Sequence, residues 1–380
     1  MHNRQPVAVL CLVRPIRIIG IVLRTLRRPG YTRQIKHALL EYVMTSKLTG
    51  RPAEIAIDFG TANLRMIHRD GGVIFDEPSL CCLAGLSDRP RFVAAGAPVY
   101  AMADRTPDGM RVRRPLWRGV LQDIEAATHL LRYAASQAIK RRSFLSPRVM
   151  IGLPADVTQA ERNAMRTAAQ DAGLNPVCFV PEPLAAAIGA NLEINAPQGT
   201  MILECGAGTT EVAVLSLGGV CLTRSLRGGG AELDAAIIDY LHVGHKLLVG
   251  RGTAERIKYA LGEACSRGGA ADSIDVKGRS LVSGLPTAIR IAPIEFADVI
   301  ERHAQHIVDL ILEVLAQTPP ELSKDILGEG ILLTGGGAAT PALRQKIEAG
   351  TGLRVTIADD SGLCVARGLL SLLQDGASVN

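Results

Sequence analysis

Two acid–glycine–threonine segments stand far apart in the chain: Asp58-Phe-Gly60-Thr61-Ala62-Asn63 and Glu204-Cys-Gly206-Ala207-Gly208-Thr209-Thr210. Glycines let backbone N–H groups approach phosphate oxygens, and the hydroxyls of Thr61, Thr209 and Thr210 can add donors. A carboxylate at each strand end, Asp58 and Glu204, can hold a hydrated Mg2+ ion, which prefers few protein ligands and several waters. Two such turns facing each other would clamp a triphosphate in a cleft between two lobes. A third segment, Gly335-Gly336-Gly337, offers another close approach of backbone to ligand. One acid–Gly–Thr turn is commonly just a hairpin; its repetition, with a third glycine run, points to phosphate chemistry. No GxxxxGK[ST] occurs, and no GxGxxG follows the first strand of a βαβ unit, which excludes the P-loop and dinucleotide-binding classes.

Each of these segments needs a rigid element to aim it. Residues 54–58 read as a buried strand that ends at Asp58, turns at Gly60 and returns over 64–67. The pattern recurs with a strand ending at Glu204 and a second strand over 212–217. A third strand runs from residue 330 into the three glycines, ahead of a helix beginning near Pro341. With 380 residues the chain can build two cores. Hydrophobic residues make up 47% and aromatics 3%, so aliphatic side chains and alanine must fill them. The eight cysteines are scattered, mostly inside apolar runs and without a CxxC pair, which reads as buried free thiols in a reducing compartment. His242/His245 and His303/His306 have helical i, i+3 spacing, but no acid or cysteine accompanies either pair in sequence, and they read as solvated helix faces.

Charge is unevenly placed. Ten of the 42 Lys/Arg but one of the 37 Asp/Glu lie in residues 1–51, so the remainder is mildly acidic. That argues against a nucleic-acid-binding body and leaves an anionic surface as a target of the basic segment. The apolar run 7–13 is too short to span a bilayer, and no small-residue cleavage site follows it. Residues 1–52 read either as a basic amphipathic anchor, with Ile18, Ile19, Val22 and Leu23 toward lipid, or as a disordered extension ahead of a start at Met44. The folded body is expected from Ala53.

The three glycine segments match the phosphate-1, phosphate-2 and adenosine motifs of the actin, heat-shock chaperone and sugar kinase superfamily. Within it, residues 53–373 resemble the MreB family. The resemblance is carried by Ile57-Asp-Phe-Gly-Thr-Ala-Asn63, Asp76-Glu-Pro-Ser79, Glu182-Pro-Leu-Ala-Ala-Ala-Ile-Gly189 and Gly208-Thr-Thr-Glu-Val-Ala-Val214. It continues through Thr253-Ala-Glu-Arg-Ile-Lys258, Ser283-Gly-Leu-Pro286, Thr318-Pro-Pro-Glu-Leu322, Leu333-Thr-Gly-Gly-Gly337 and Cys364-Val-Ala-Arg-Gly368.

That resemblance implies an α/β, actin-like (ribonuclease H-like) duplicated fold with an interdomain nucleotide cleft. Domain I would span 53–198 with a smaller subdomain about 81–113, completed by a C-terminal helix over 363–380. Domain II would span 199–362 with a smaller subdomain about 231–291. The resemblance also implies ATP, with GTP as the alternative, and Mg2+ held by Asp58 and Glu204 through water. Gly60, Thr61, Ala62 and Asn63 would surround the phosphates together with Gly206, Ala207, Gly208 and Thr210. Thr209 would touch the γ-phosphate or water, and Glu182 would orient the water. Glu255 and Lys258 would contact ribose and adenine; on spacing alone they are an i, i+3 surface ion pair. Gly335, Gly336 and Gly337 would lie against the adenosine.

The segment Lys140-Arg-Arg-Ser-Phe144-Leu145 aligns with a loop by which MreB proteins touch membranes; the other reading is that Phe144 and Leu145 cap the core. Implied partners are further copies of the chain in a filament, an anionic membrane surface, and membrane-embedded cell-shape and wall-synthesis proteins, at the cytoplasmic face of the cell membrane. A filament for organelle or plasmid positioning, a chaperone-like ATPase and a sugar kinase are the alternatives. Four departures from the family pattern (Glu204 for Asp, Ala207 for Gly, Pro181 for Glu, Ala231 for Asp) point to slow hydrolysis.

Overall fold

The computed structural model describes residues 55–85, 90–138, 148–266 and 273–375. The basic N-terminal segment and the 140–145 loop with Phe144 and Leu145 lie outside the described residues. In chain order the strands are β1 (Ile55–Phe59), β2 (Asn63–His68), β3 (Gly72–Pro78), β4 (Cys81–Ala84), β5 (Arg91–Ala95), β6 (Met110–Arg113), β7 (Leu116–Trp117), β8 (Val120–Leu121) and β9 (Val149–Leu153). There follow β10 (Val177–Pro181), β11 (Thr200–Cys205), β12 (Thr210–Ser216), β13 (Gly219–Leu226), β14 (Leu247–Leu248), β15 (Ile274–Ser280), β16 (Pro286–Ile291), β17 (Ile331–Thr334) and β18 (Val355–Ile357).

Two five-stranded sheets result, ordered β10-β9-β1-β2-β3 and β13-β12-β11-β17-β18. Each is an antiparallel meander (β1-β2-β3, β11-β12-β13) to which two strands add in parallel on the far side. Parallel pairing demands crossover connections, and helices supply them. The duplication read from Asp58 and Glu204 therefore extends to whole sheets of one order and one set of directions.

The central strands are apolar on both faces because both faces are covered. Ile55, Ile57 and Phe59 pack with helices Ile124–Ala138 and Gln159–Asp171, while Ala56 points the other way. Met201, Leu203 and Cys205 pack with helices Ala297–Gln317 and Leu343–Thr351, while Ile202 points the other way. Ala56 and Ile202 belong to one shared core, built around helices Glu182–Gly189 and Cys364–Gln374 between the sheets. Those helices touch backbone to backbone: a Cβ on Gly189 would strike the Cys364 carbonyl, and one on Gly368 would strike the Ala185 carbonyl. Glycine is required at both contacts.

Smaller units hang at the rims. The sheet β5-β4-β6 carries helix Ala97–Met102, and β7-β8 forms a short hairpin. On the other half, β14-β15-β16 packs with helices Gly230–His245 and Arg251–Ser266 in a core of its own. The helix expected near Pro341 begins at Leu343; a 3-10 turn over Gly336–Ala339 and left-handed Ala342 (φ 56) come first. His245 is half-buried and lies 3.1 Å from Glu295, an acid that sequence proximity could not reveal. His303 is half-buried as well, so neither pair is a fully solvated face.

Candidate functional site

A cleft of about 1460 Å³ is lined from both halves of the molecule. That is roomier than the range of roughly 300–1,000 Å³ usual for small-molecule pockets.

At its floor the two acid–glycine turns close in the same manner. Gly60 N–H donates to Asn63 O at 2.9 Å, and Gly206 N–H donates to Thr209 O at 2.8 Å. The hairpin registers agree too: Phe59 faces Leu64, and Cys205 faces Thr210. Each acid thus ends a strand two residues ahead of an equivalent reversal. The turns meet across the cleft, since a Cβ on Gly208 would strike the Thr61 hydroxyl and crowd the Gly119 N–H. Gly119 N–H donates to Thr61 Oγ1 at 3.3 Å, which leaves the Thr61 hydroxyl proton free to donate to a ligand.

Four carboxylates gather beneath these turns. Asp58 is buried and ion-paired with Arg65 at 3.0 Å, and Arg65 also pairs with Asp76. Burial raises the Asp58 pKa, and the Arg65 guanidinium opposes the rise. Glu182 opens the Glu182–Gly189 helix behind Pro181 and is buried. Burial lifts its pKa well above the ordinary value, helped by the charges of Glu211, Glu204 and Asp58. Glu204 is lifted likewise, by burial and then by Glu211 and Asp58. Glu182, Glu204 and Glu211 each bring a carboxylate oxygen within 4.8 Å of the other two. Oε2 of Glu204 and Oε2 of Glu211 are buried with no hydrogen-bond partner. Three buried acids cannot all ionise side by side without protons or a cation among them. Orphaned hard oxygens of this kind suit a hydrated Mg2+ ion.

At the mouth, Gly335, Gly336 and Gly337 line the cleft after β17, and Gly335 N–H donates to Ser361 O at 2.9 Å. Glu255 and Lys258 line it from helix Arg251–Ser266 but do not pair with each other. Lys258 Nζ is 2.8 Å from Asp234 Oδ1 and donates to Gly230 O, while Glu255 Oε2 accepts from the Tyr100 hydroxyl at 2.6 Å. The surface-pair reading of Glu255 and Lys258 is thereby corrected: each has a partner on another element.

Of the residues singled out from sequence, Asp58, Gly60, Thr61, Ala62, Asn63, Glu182, Glu204, Gly206, Ala207, Gly208, Thr209, Glu255, Lys258 and the three glycines all line this cleft. Thr210 does not. It is fully buried and its hydroxyl donates to Gly228 O at 3.0 Å, because successive side chains alternate faces and Thr209 takes the cleft side. Reading from sequence missed Arg65, Tyr100, Asp234 and Glu211. Glu211 announced itself only as an acid inside an apolar strand; the strand begins at Thr210, ahead of the 212–217 reading, and so includes it.

Two sheets of like order, two helices packed between them and a turn-lined cleft joining the halves define an actin-like fold. A family model described as MreB/Mbl protein matches residues 52–380. The chain belongs to the MreB/Mbl family. It is 39% identical over 321 residues to the cell shape-determining protein MreB of Escherichia coli K12, covering 83% of this chain and 91% of that one. It is 35% identical over 316 residues to the cell shape-determining protein Mbl of Bacillus subtilis 168, covering 83% and 94%. Among solved structures, MreB 5 of Spiroplasma citri bound to AMPPNP superposes with a TM-score of 0.78 at 33% identity, covering 84% of this chain and 95% of that one. The MamK double helical filament shares the fold, with a TM-score of 0.67 at 22% identity over 84% and 97%.

Proposed function

We propose that this chain binds ATP with Mg2+ in the cleft, hydrolyses it slowly, and assembles into filaments that direct cell shape beneath the cell membrane. The observation that carries the reading is the pair of equivalent acid–glycine turns facing each other over a buried carboxylate cluster. Backbone N–H groups of residues 60–63 and 206–208, with the Thr61 and Thr209 hydroxyls, surround the phosphates. Asp58 and Glu204 would hold the metal through water, and Mg2+ would supply neutralisation of phosphate charge. Glu182 orients the attacking water; alignment and electrostatics are the larger part of phosphoryl-transfer catalysis. Glu255 takes the ribose, Lys258 the base edge, and Gly335–Gly337 give the adenosine a side-chain-free wall.

The cell-shape role is supported by the relatives named cell shape-determining proteins. Membrane contact is supported by the sequence alone, through the basic N-terminal segment and Phe144–Leu145. No helix among the described residues is long and apolar enough to cross a membrane. Wall-synthesis proteins embedded in that membrane are the partners this role requires.

Titration with a fluorescent ATP analogue, with and without Mg2+, tests the core of the proposal. Saturable, Mg2+-dependent binding is expected, with ATP competing better than GTP. Absence of Mg2+-dependent binding to both nucleotides overturns it. Sedimentation with ATP and with anionic liposomes tests assembly: a persistent monomer argues for a chaperone-like or kinase role instead.

A further inference from the structure

Glu211 belongs to the buried carboxylate cluster but carries no role of its own in the reading above, and among the described residues it is the acid with no exposed surface at all. It lies on β12 in register with Glu204 on β11. Its Oε1 accepts two hydrogen bonds, from Ser225 Oγ on neighbouring β13 and from the Ala155 backbone N–H, each at 2.8 Å. The second bond crosses between the halves, because Ala155 follows β9 in the first sheet. Beside it, Arg227 at the end of β13 reaches Asp156 and Glu161 on the same stretch of chain, each at 3.4 Å.

The segment held in this way is tied to Glu182. Leu153, the last residue of β9, is in register with Pro181, the last of β10. Glu182 follows Pro181 directly, and its Cγ lies beside Gly152. Leu153 and Pro154 line the cleft floor together with Glu182. Anchoring Ala155 therefore fixes the wall against which the Glu182 carboxylate is placed.

We propose that Glu211 is a positioning residue for hydrolysis, acting as a hydrogen-bond acceptor that holds the Leu153–Ala155 turn across the cleft floor and so sets the geometry of Glu182. This rests on the reading of Glu182 as the water-orienting group. A misplacement of the order of an ångström suffices to slow a reaction about a hundredfold, and the acceptor loses its grip when truncated. Binding of nucleotide depends on the turns and the mouth, whose lining does not include Glu211, and the metal is assigned to Asp58 and Glu204.

The test compares Glu211→Ala, Glu211→Gln and Ser225→Ala for phosphate release and for the Kd of a fluorescent ATP analogue. Glu211→Ala is expected to lower kcat by about tenfold or more with Kd little changed. Glu211→Gln keeps a carbonyl that can accept from Ala155 and Ser225, and is expected to recover most of the turnover. Ser225→Ala lowers kcat a few-fold, and serves in place of Glu211→Ala should that variant fail to fold. Wild-type turnover in Glu211→Ala overturns the inference. So does equal loss in Glu211→Gln and Glu211→Ala, which would make charge rather than acceptance the requirement. If Glu182→Ala also hydrolyses normally, or the wild-type chain does not hydrolyse at all, the proposed function fails first. An inactive Glu182→Ala beside an active Glu211→Ala sinks this inference alone.

Discussion

At the scale of single residues, placement decides what each acid can do. Asp58 has the Arg65 guanidinium at 3.0 Å and so keeps a counter-charge without ligand. Glu182 has no such partner; its pKa is raised well above the ordinary value by burial and by Glu211, Glu204 and Asp58. Glu211 is pushed up to about 7, by burial, against its hydrogen bonds from Ala155 and Ser225. A buried acid without an assigned cation nearby is poorly suited to structure and well suited to organising water once a cation or phosphate arrives. We therefore expect Glu182→Ala to retain ATP binding while phosphate release falls about a hundredfold, the lower range for a positioned acid–base group. Single-turnover phosphate release at saturating ATP checks this, and release equal to wild type would remove Glu182 from the site. Glu204, read from sequence as a departure from the family pattern of Asp, has an unpartnered Oε2 in the cluster. Shortening it by Glu204→Asp should raise turnover a few-fold at unchanged affinity; a further drop in the same phosphate-release measurement would show that the longer side chain is needed.

Among the elements, the strands were readable because their chemistry and their burial coincide. Ile55, Ile57 and Phe59 face one core and Ala56 another, so β1 is uniformly apolar and then stops at an acid and a glycine. β11 repeats this and was equally plain. Glu211 escaped because one charge in an apolar run looks like a strand boundary, and Thr210 was misassigned because hairpin tips do not reveal which of two adjacent hydroxyls faces outward. Tyr100 escaped for another reason: its partner Glu255 is 155 residues away, and no local pattern encodes that contact. The C-terminal helix at the centre was expected over 363–380 and is found over Cys364–Gln374, but its backbone contact with helix Glu182–Gly189, through Gly189 and Gly368, carried no sequence signal. Gly368→Ala places a methyl against the Ala185 carbonyl, which cannot rotate away. A loss of about 2 kcal/mol or more is expected, typical of overpacking against a fixed wall. A urea midpoint unchanged from wild type would mean that the helices can separate freely. Helix Ala297–Gln317 makes a second stability prediction. His303 is held down to about 4 by burial, with His306 and Lys258 adding to the effect. Its depressed pKa means the neutral ring is favoured in the fold, so its stabilisation is full above about pH 6.5 and is lost as pH falls toward 4. The loss amounts to roughly 3 kcal/mol. Thermal melts of His303→Gln and wild type should converge across that window, and a pH-independent gap between them would refute the assignment.

For the whole molecule, the decisive feature is that its two halves meet at both ends of the cleft. At the floor, Glu211 and Arg227 reach from the second half to Ala155, Asp156 and Glu161 of the first. At the mouth, Tyr100 donates to Glu255, Arg118 pairs with Glu232, and Arg251 stacks over Trp117 at 4.8 Å. The floor contacts are partly buried around the fully enclosed Glu211, whereas the mouth contacts are more exposed. On the proposed reading a nucleotide leaves by the mouth, and these ties open as it does. Tyr100 is the best placed of them, because its partner is the residue assigned to the ribose. The hydrogen bond to Glu255, with burial and the neighbouring charge, pushes the Tyr100 pKa up to about 12, so the phenol remains a donor throughout the neutral range. Replacing it by phenylalanine keeps the ring and removes only the donor. Tyr100→Phe should release a fluorescent ADP analogue several-fold faster, about what one charge-assisted hydrogen bond provides at a partly exposed site. Its phosphate-release rate at saturating ATP should hold, because the floor is untouched. Trp117 is the only tryptophan in the chain and sits in this mouth, so its fluorescence follows the opening without an added label. Equal release from both proteins in stopped flow would mean that the mouth stands open between turnovers, and that the domain angle is set at the floor alone.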